Sequence, residues 1–150
     1  MADFKSKFLT SLDARGFIAQ CTDKPGLDAA ASETVMTGYI GYDCTAPSLH
    51  VGNLISILML RRLQQSGHRP IVVIGGGTTK VGDPSGKDES RQLLTDAQIA
   101  ENKQTIRATF ERFLTFGDGP QDAILVDNDN WLSKLDYIEF LRDYGRHFSI

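Results

Sequence analysis

Residues 35–77 read VMTGYIGYDCTAPSLHVGNLISILMLRRLQQSGHRPIVVIGGG, and the fold turns on them. Val35–Tyr42 is short, β-branched and aromatic and closes at Asp43, which predicts a strand. From His50 to Gln65 apolar residues recur at Val51, Leu54, Ile55 and Leu58, and the run stops at Gly67. That spacing predicts a helix, and its nearly all-round apolar first half predicts burial. Pro70–Ile74 is a continuous apolar run, expected of a strand covered on both faces. Strand, helix and strand in this order make one right-handed parallel crossover.

The flanks extend the pattern. Upstream, Asp3 is a candidate N-cap for a helix with Phe4, Phe8, Leu9 and Leu12 inward and Gly16 as its stop. A polar stretch follows, with Pro25-Gly26 as its turn signal. Downstream, a glycine-rich loop runs from Gly75 to about Ser90. Thr95 opens a long helix with Gln98 completing a capping box, and Ile99, Ile106, Phe110, Phe113 and Leu114 form its inward stripe. Ala123–Val126 reads as the next strand. Ser133–Tyr144 reads as a helix facing inward through Leu135, Ile138 and Leu141 and stopped by Gly145. The fold class is therefore α/β, a Rossmann-like parallel sheet preceded by an N-terminal helix. Ligands of such sheets bind beyond the carboxyl ends of the strands, so loops 43–50 and 75–90 are the places for chemistry.

Composition narrows the classes further. The 150 residues carry 16 Lys+Arg against 19 Asp+Glu, a net charge of −3, and are 41% hydrophobic. This is one globular domain's worth of chain without the basic excess of a nucleic-acid-binding patch. The longest nearly unbroken apolar run, Leu54–Leu60, is far too short to span a membrane. The first residues have neither a secretory signal's apolar core nor a transit peptide's lack of acids. Cys21 and Cys44 are the only cysteines and form no CxxC, which fits a reducing, cytoplasmic setting.

Six of the 14 glycines fall between Gly67 and Gly86. GGGTTKVGDPSGK (75–87) is not a Walker A loop, because three residues rather than four separate Gly82 from Gly86-Lys87 and Asp88 follows. Nor does Gly75-Gly76-Gly77 continue to GxGxxG, since Lys80 holds the last position. In the other loop, His50-Val51-Gly52-Asn53 opens a helix. There the unpaired backbone N–H groups and the helix dipole favour an anion, and Gly52 lets a ligand approach closely.

His50-Val51-Gly52-Asn53 resembles the HIGH signature of class I aminoacyl-tRNA synthetases. The longer string of Tyr39, Gly41, Asp43, Thr45, Ser48, Leu49 and His50 resembles the bacterial-type tyrosyl-tRNA synthetases in particular. Gly82-Asp83-Pro84-Ser85-Gly86-Lys87 is similar to that family's second loop, and Phe140-Leu141-Arg142-Asp143 with His147-Phe148-Ser149 to its continuation. The resemblance implies activation of tyrosine by ATP to tyrosyl-adenylate and pyrophosphate, then transfer of tyrosine to tRNA(Tyr). Mg2+ is expected to accompany ATP, with no protein-bound metal site. The implied partners are tyrosine, ATP and tRNA(Tyr), with a homodimer for the full-length protein and no membrane.

The residue roles follow the same resemblance. Thr45 and His50 would donate to the leaving pyrophosphate, and Lys87 and Arg91 would clasp it. Asp43, His50, Gly52 and Asn53 would hold ATP. Tyr39, at the strand end, would meet the substrate phenol, Asp83 its ammonium, and Thr78 and Asn128 would support it. Two departures stand out: Asn53 replaces the signature's second His while keeping a donor, and Ile40 stands where some relatives have a cysteine facing the ribose. The implied division is an N-terminal helical segment, 1–34, and the first half of the catalytic domain, 35–150. The KMSKS lysines and the tRNA-reading region are expected beyond it. The alternatives are an inactive or binding-only fragment, or another nucleotidyltransferase with a HIGH-type motif.

Overall fold

The computed structural model describes residues 3–82 and 94–148. Three strands, β1 (Thr37–Asp43), β2 (Arg69–Gly75) and β3 (Ile124–Asp127), form one parallel sheet in the order β1-β2-β3. The register sets Asp43 beside Gly75 and Ile74 beside Asp127, so the three carboxyl ends form one row. The helices are α1 (Lys7–Asp13), α2 (Lys24–Glu33), α3 (Val51–Gln65), α4 (Gly76–Val81), α5 (Asp96–Phe110), α6 (Asp129–Leu132) and α7 (Tyr137–Asp143), followed by a 3-10 turn at Gly145–His147.

Two parallel crossovers stepping in the same direction, with the right-handedness general to such connections, put α3 and α5 on the same side of the sheet. The burial pattern agrees. Tyr42, Val72 and Ile74 share one core with Ile57, Leu60 and Leu63 of α3 and Ile99, Ile106 and Phe110 of α5. Phe8, Leu9 and Leu12 of α1 join that core. The opposite face, with Tyr39, Ile71, Val73 and Val126, stays partly open among the described residues. Among the described residues the apolar run Pro70–Ile74 is thus fully covered on one face and only partly on the other. The start of α3 is likewise not buried: Val51 and Ile55 are 81% and 60% exposed, and only the side facing the sheet is closed.

Several local expectations are corrected. Ser6, not Asp3, caps α1, accepting from Leu9 N–H at 3.2 Å. The stretch around Pro25-Gly26 is helix α2. Asp23 caps it through Gly26 N–H at 2.9 Å. Pro25 lies in the first turn, where no N–H is needed, and Ala29–Ala31 favour helix. Asp28 on α2 accepts from the N–H groups of Lys5 and Ser6, both at 2.9 Å, which ties the two helices and lowers its pKa. The span 133–144 is no single inward-facing helix. Asp136 caps a fresh start at α7, and Leu135, Ile138 and Leu141 are exposed. Gly16 and Gly67, at φ +69° and +91°, do end their helices as left-handed stops.

His68 closes the base of the sheet. It is buried, its Nδ1 accepts from Met36 N–H at 3.3 Å, and its ring meets Phe8 edge-on at 5.9 Å. Burial lowers its pKa, so the folded state disfavours the protonated ring. Its contribution to stability is therefore full above the unfolded value of about 6.5 and is lost as pH falls through the lower folded value. Thermal midpoints of the wild type should drop as pH falls below about 6.5. Those of His68→Asn should change less, and parallel slopes would show that His68 is not the titrating group.

Candidate active site

The glycine-rich segment after β2 begins as helix α4, not as a loop, because each glycine admits a polar neighbour. A Cβ on Gly75 would collide with the Asp43 carboxylate and lie 2.6 Å from Thr78 Oγ1. One on Gly76 would collide with Asp127 and Lys103, and one on Gly77 would lie 3.2 Å from Asn128 Oδ1. The triplet brings the start of α4 against the ends of β1 and β3.

A chain of hydrogen bonds then crosses the row of strand ends. Thr78 Oγ1 donates to Asp43 Oδ1 at 2.7 Å, Asn128 Nδ2 donates to Thr78 Oγ1 at 3.2 Å, and Gly77 N–H donates to Asn128 Oδ1 at 2.8 Å. Asp43, Thr78 and Asn128, read separately from sequence, are thus one network. Lys80 lies 2.8 Å from Asp129 and 3.6 Å from Asp96. The hydrogen bond between Lys80 and Asp129 raises the lysine's pKa and lowers the aspartate's. An open cleft of about 740 Å³ lies alongside, lined by Asp43, Thr78, Lys80, Asp129, Tyr137 and Phe140 among others.

His50 is the N-cap of α3. Its Nδ1 accepts from Gly52 N–H at 2.9 Å, and Asn53 Oδ1 accepts from His50 N–H at 3.2 Å. Because Nδ1 is an acceptor, the neutral ring carries its proton on Nε2. That N–H and the Asn53 amide remain as donors at the positive end of the helix. Gly52 is small for a local reason as well: a Cβ there would lie 2.6 Å from His50 Cε1 and push the ring off the cap. Thr45 is exposed on the loop between Asp43 and His50. Tyr39 sits in the middle of β1 rather than at its end, 75% exposed, on the same face as Asp43. Asp83, Lys87 and Arg91 lie outside the described residues.

The site also uses residues that sequence reading missed. Lys103 pairs with Asp127 at 2.5 Å. Asn102 donates to the Cys44 carbonyl at 2.8 Å, and Thr79 Oγ1 accepts from Cys44 N–H at 2.9 Å. One signal was available: Asn102 and Lys103 interrupt the apolar stripe Ile99–Ile106–Phe110 of α5 with polar groups. Cys44 itself is fully buried, and burial pushes its thiol up to about 11, so it is protonated and unreactive. Among the described residues no group of three or more His, Cys, Asp or Glu side chains gathers as a metal site, and no helix is long and apolar enough to cross a membrane.

Comparison with known proteins places these features. The profile of the family described as tRNA synthetases class I (W and Y) matches residues 31–150. The tyrosine–tRNA ligase of Caulobacter sp. (strain K31) is 66% identical over 149 residues, 99% of this chain and 36% of that protein. That of Nitrobacter winogradskyi is 61% identical over 150 residues, again 36% of its length. The chain thus spans about a third of the curated relatives it matches. Among solved structures, a C-terminally truncated Aspergillus nidulans mitochondrial tyrosyl-tRNA synthetase superposes with TM-score 0.74 at 28% identity, covering 97% of this chain and 44% of that one. The Coccidioides posadasii counterpart gives 0.71 at 26% identity, covering 95% and 41%. A parallel sheet shared with those synthetases, and a family profile that runs from residue 31 through the strand ends and the His50 helix start, make this chain a member of the class I tRNA synthetases (W and Y).

Proposed function

We propose that the full-length protein carrying this chain activates tyrosine with ATP and transfers it to tRNA(Tyr). In the first step a tyrosine carboxylate oxygen attacks the ATP α-phosphorus, the bond to the bridging oxygen breaks, and pyrophosphate leaves. Such a displacement needs positioning and charge stabilisation more than acid–base chemistry. The observation that carries the reading is the arrangement along β1 and at the strand ends. Tyr39 and Asp43 share one face of β1, Asp43 is tied to Thr78 and Asn128, and the His50 helix start follows within the same loop.

The donors match the demand. His50 Nε2–H and the Thr45 hydroxyl serve the β- and γ-phosphates, with Lys87 and Arg91 as cations. Gly52, Asn53 and the backbone near Asp43 serve the α-phosphate and ribose. Tyr39, Thr78, Asn128 and Asp83 serve tyrosine, and Mg2+ arrives with ATP as part of that substrate. Four residues of strand, about 13 Å, separate Tyr39 from Asp43, which suits a ligand with a phenol at one end and a phosphate at the other. A cytoplasmic homodimer that binds tRNA through regions outside this chain completes the reading.

Tyrosine-dependent exchange of pyrophosphate into ATP tests it through Tyr39→Phe. A pocket that pairs the phenol rejects phenylalanine because buried polar groups would be left unsatisfied. Removing one partner should lower the ratio of kcat/KM for tyrosine over phenylalanine by about tenfold. An unchanged ratio makes Tyr39 a scaffold residue and removes the local support for tyrosine as the substrate.

A further inference from the structure

We infer that Asn102 of α5 is a positioning residue for adenylation, holding the peptide that aims Thr45; the inference rests on the reading above. Asn102 is almost fully buried on the apolar stripe of its helix. A buried amide there is costly unless paired, and its Nδ2 is spent on the Cys44 carbonyl at 2.8 Å. The N–H of Cys44 is held from the other side. It donates to Thr79 Oγ1 at 2.9 Å, and the Thr79 hydroxyl donates onward to the Gly75 carbonyl at 2.6 Å.

Both backbone polar groups of Cys44 are therefore fixed by side chains from two different helices, while its own side chain is enclosed. The carbonyl that Asn102 grips belongs to the peptide joining Cys44 to Thr45. That unit is planar, so gripping its oxygen orients the Thr45 Cα. On the other side of Cys44, the Asp43 carboxylate is held by Thr78. Asn102 touches no reacting atom in this arrangement. It acts through Cys44 on Thr45, setting the angle at which the chain leaves β1.

The test uses the full-length protein and two readouts. Asn102→Leu keeps the number and branching of the side-chain heavy atoms and removes the donor. It should lower kcat of tyrosine-dependent pyrophosphate exchange by about tenfold, with KM for tyrosine unchanged, because small misplacements of a catalytic group are costly. In a Thr45→Ala background the same substitution should cost less than about twofold, since the group it aims is gone. Equal factors in the two backgrounds overturn the proposal.

The second readout does not depend on activity. Native-state labelling of Cys44 by a thiol reagent, read from the mass of its peptide, should accelerate about tenfold in Asn102→Leu as the clamp opens. Thr79→Val should do the same and Thr79→Ser should restore the slow rate, which also covers the case in which Asn102→Leu fails to fold. Unchanged labelling in the folded variants overturns the positioning role even if the protein proves to act on another substrate. A wild type without tyrosine-dependent exchange overturns the functional reading while the labelling still decides the clamp.

Discussion

His50→Ala in the full-length protein is expected to slow adenylate formation by about 10²–10³ while barely changing tyrosine binding. The reason lies in the two nitrogens of the ring. Nδ1 is occupied as the N-cap acceptor for Gly52, so Nε2–H is the donor available at the mouth of the helix. Charge builds on the leaving pyrophosphate in the transition state, and a fixed donor there contributes to rate rather than to ground-state affinity. Alanine also removes the cap, at about 1 kcal/mol of stability. His50→Ser separates the two roles, because a serine hydroxyl caps α3 but does not reach the position of Nε2. Serine should recover the stability and not the rate. Recovery of both would reduce His50 to a helix cap, as would equal losses in tyrosine affinity and rate for the alanine variant.

Gly75→Ala should be the most damaging single methyl among the described glycines. Its Cβ would collide with the Asp43 carboxylate, lie 2.6 Å from Thr78 Oγ1, and come within 3.2 Å of the Asp43 backbone. The side chains can swing aside, but the backbone of β1 is held in register against β2. Overpacking of this kind costs about 1–3 kcal/mol of stability. The larger effect falls on the site, because the Asp43–Thr78 bond at 2.7 Å has to break for the methyl to fit. Displacing these groups by about 1 Å should lower the rate of adenylation about 10²-fold. Thermal midpoint and pyrophosphate exchange together check the prediction. A variant with wild-type exchange would show that the Asp43–Thr78 contact does not matter to the chemistry.

What was legible in the sequence was what local physics decides. The core strand Pro70–Ile74 and the capping box of Thr95 and Gln98 stand where their residues predicted, because apolar periodicity and side-chain caps act within a few residues. The Pro25-Gly26 turn failed because a proline in a helix's first turn and a proline in a reverse turn look alike until the Asp23 cap is seen. The triplet Gly75–Gly77 read as a loop because glycine is a poor helix former. Its glycines answer instead to Asp43, Lys103, Asp127 and Asn128, which come from other elements.

The candidate site divides along the same line. His50, Gly52 and Asn53 are legible as a helix start suited to an anion, Tyr39, Asp43, Thr45, Thr78 and Asn128 only through motif resemblance, and the fold ties Asp43, Thr78 and Asn128 together. The supports beneath them, Asn102, Thr79 and the Lys103–Asp127 pair, act between elements, and only the break in the α5 stripe hinted at them.

If the full-length protein activates tyrosine as proposed, the adenylate it forms should stay bound and can be caught there. The full-length protein is incubated with ATP labelled at the α-phosphate and with tyrosine, tryptophan, phenylalanine or no amino acid, then separated from free nucleotide. Labelled aminoacyl-adenylate should remain bound with tyrosine and be at background with the other three. Retention with tryptophan and none with tyrosine would rule out tyrosine as the substrate, because the same strand ends and the same His50 helix start would then serve a different side chain.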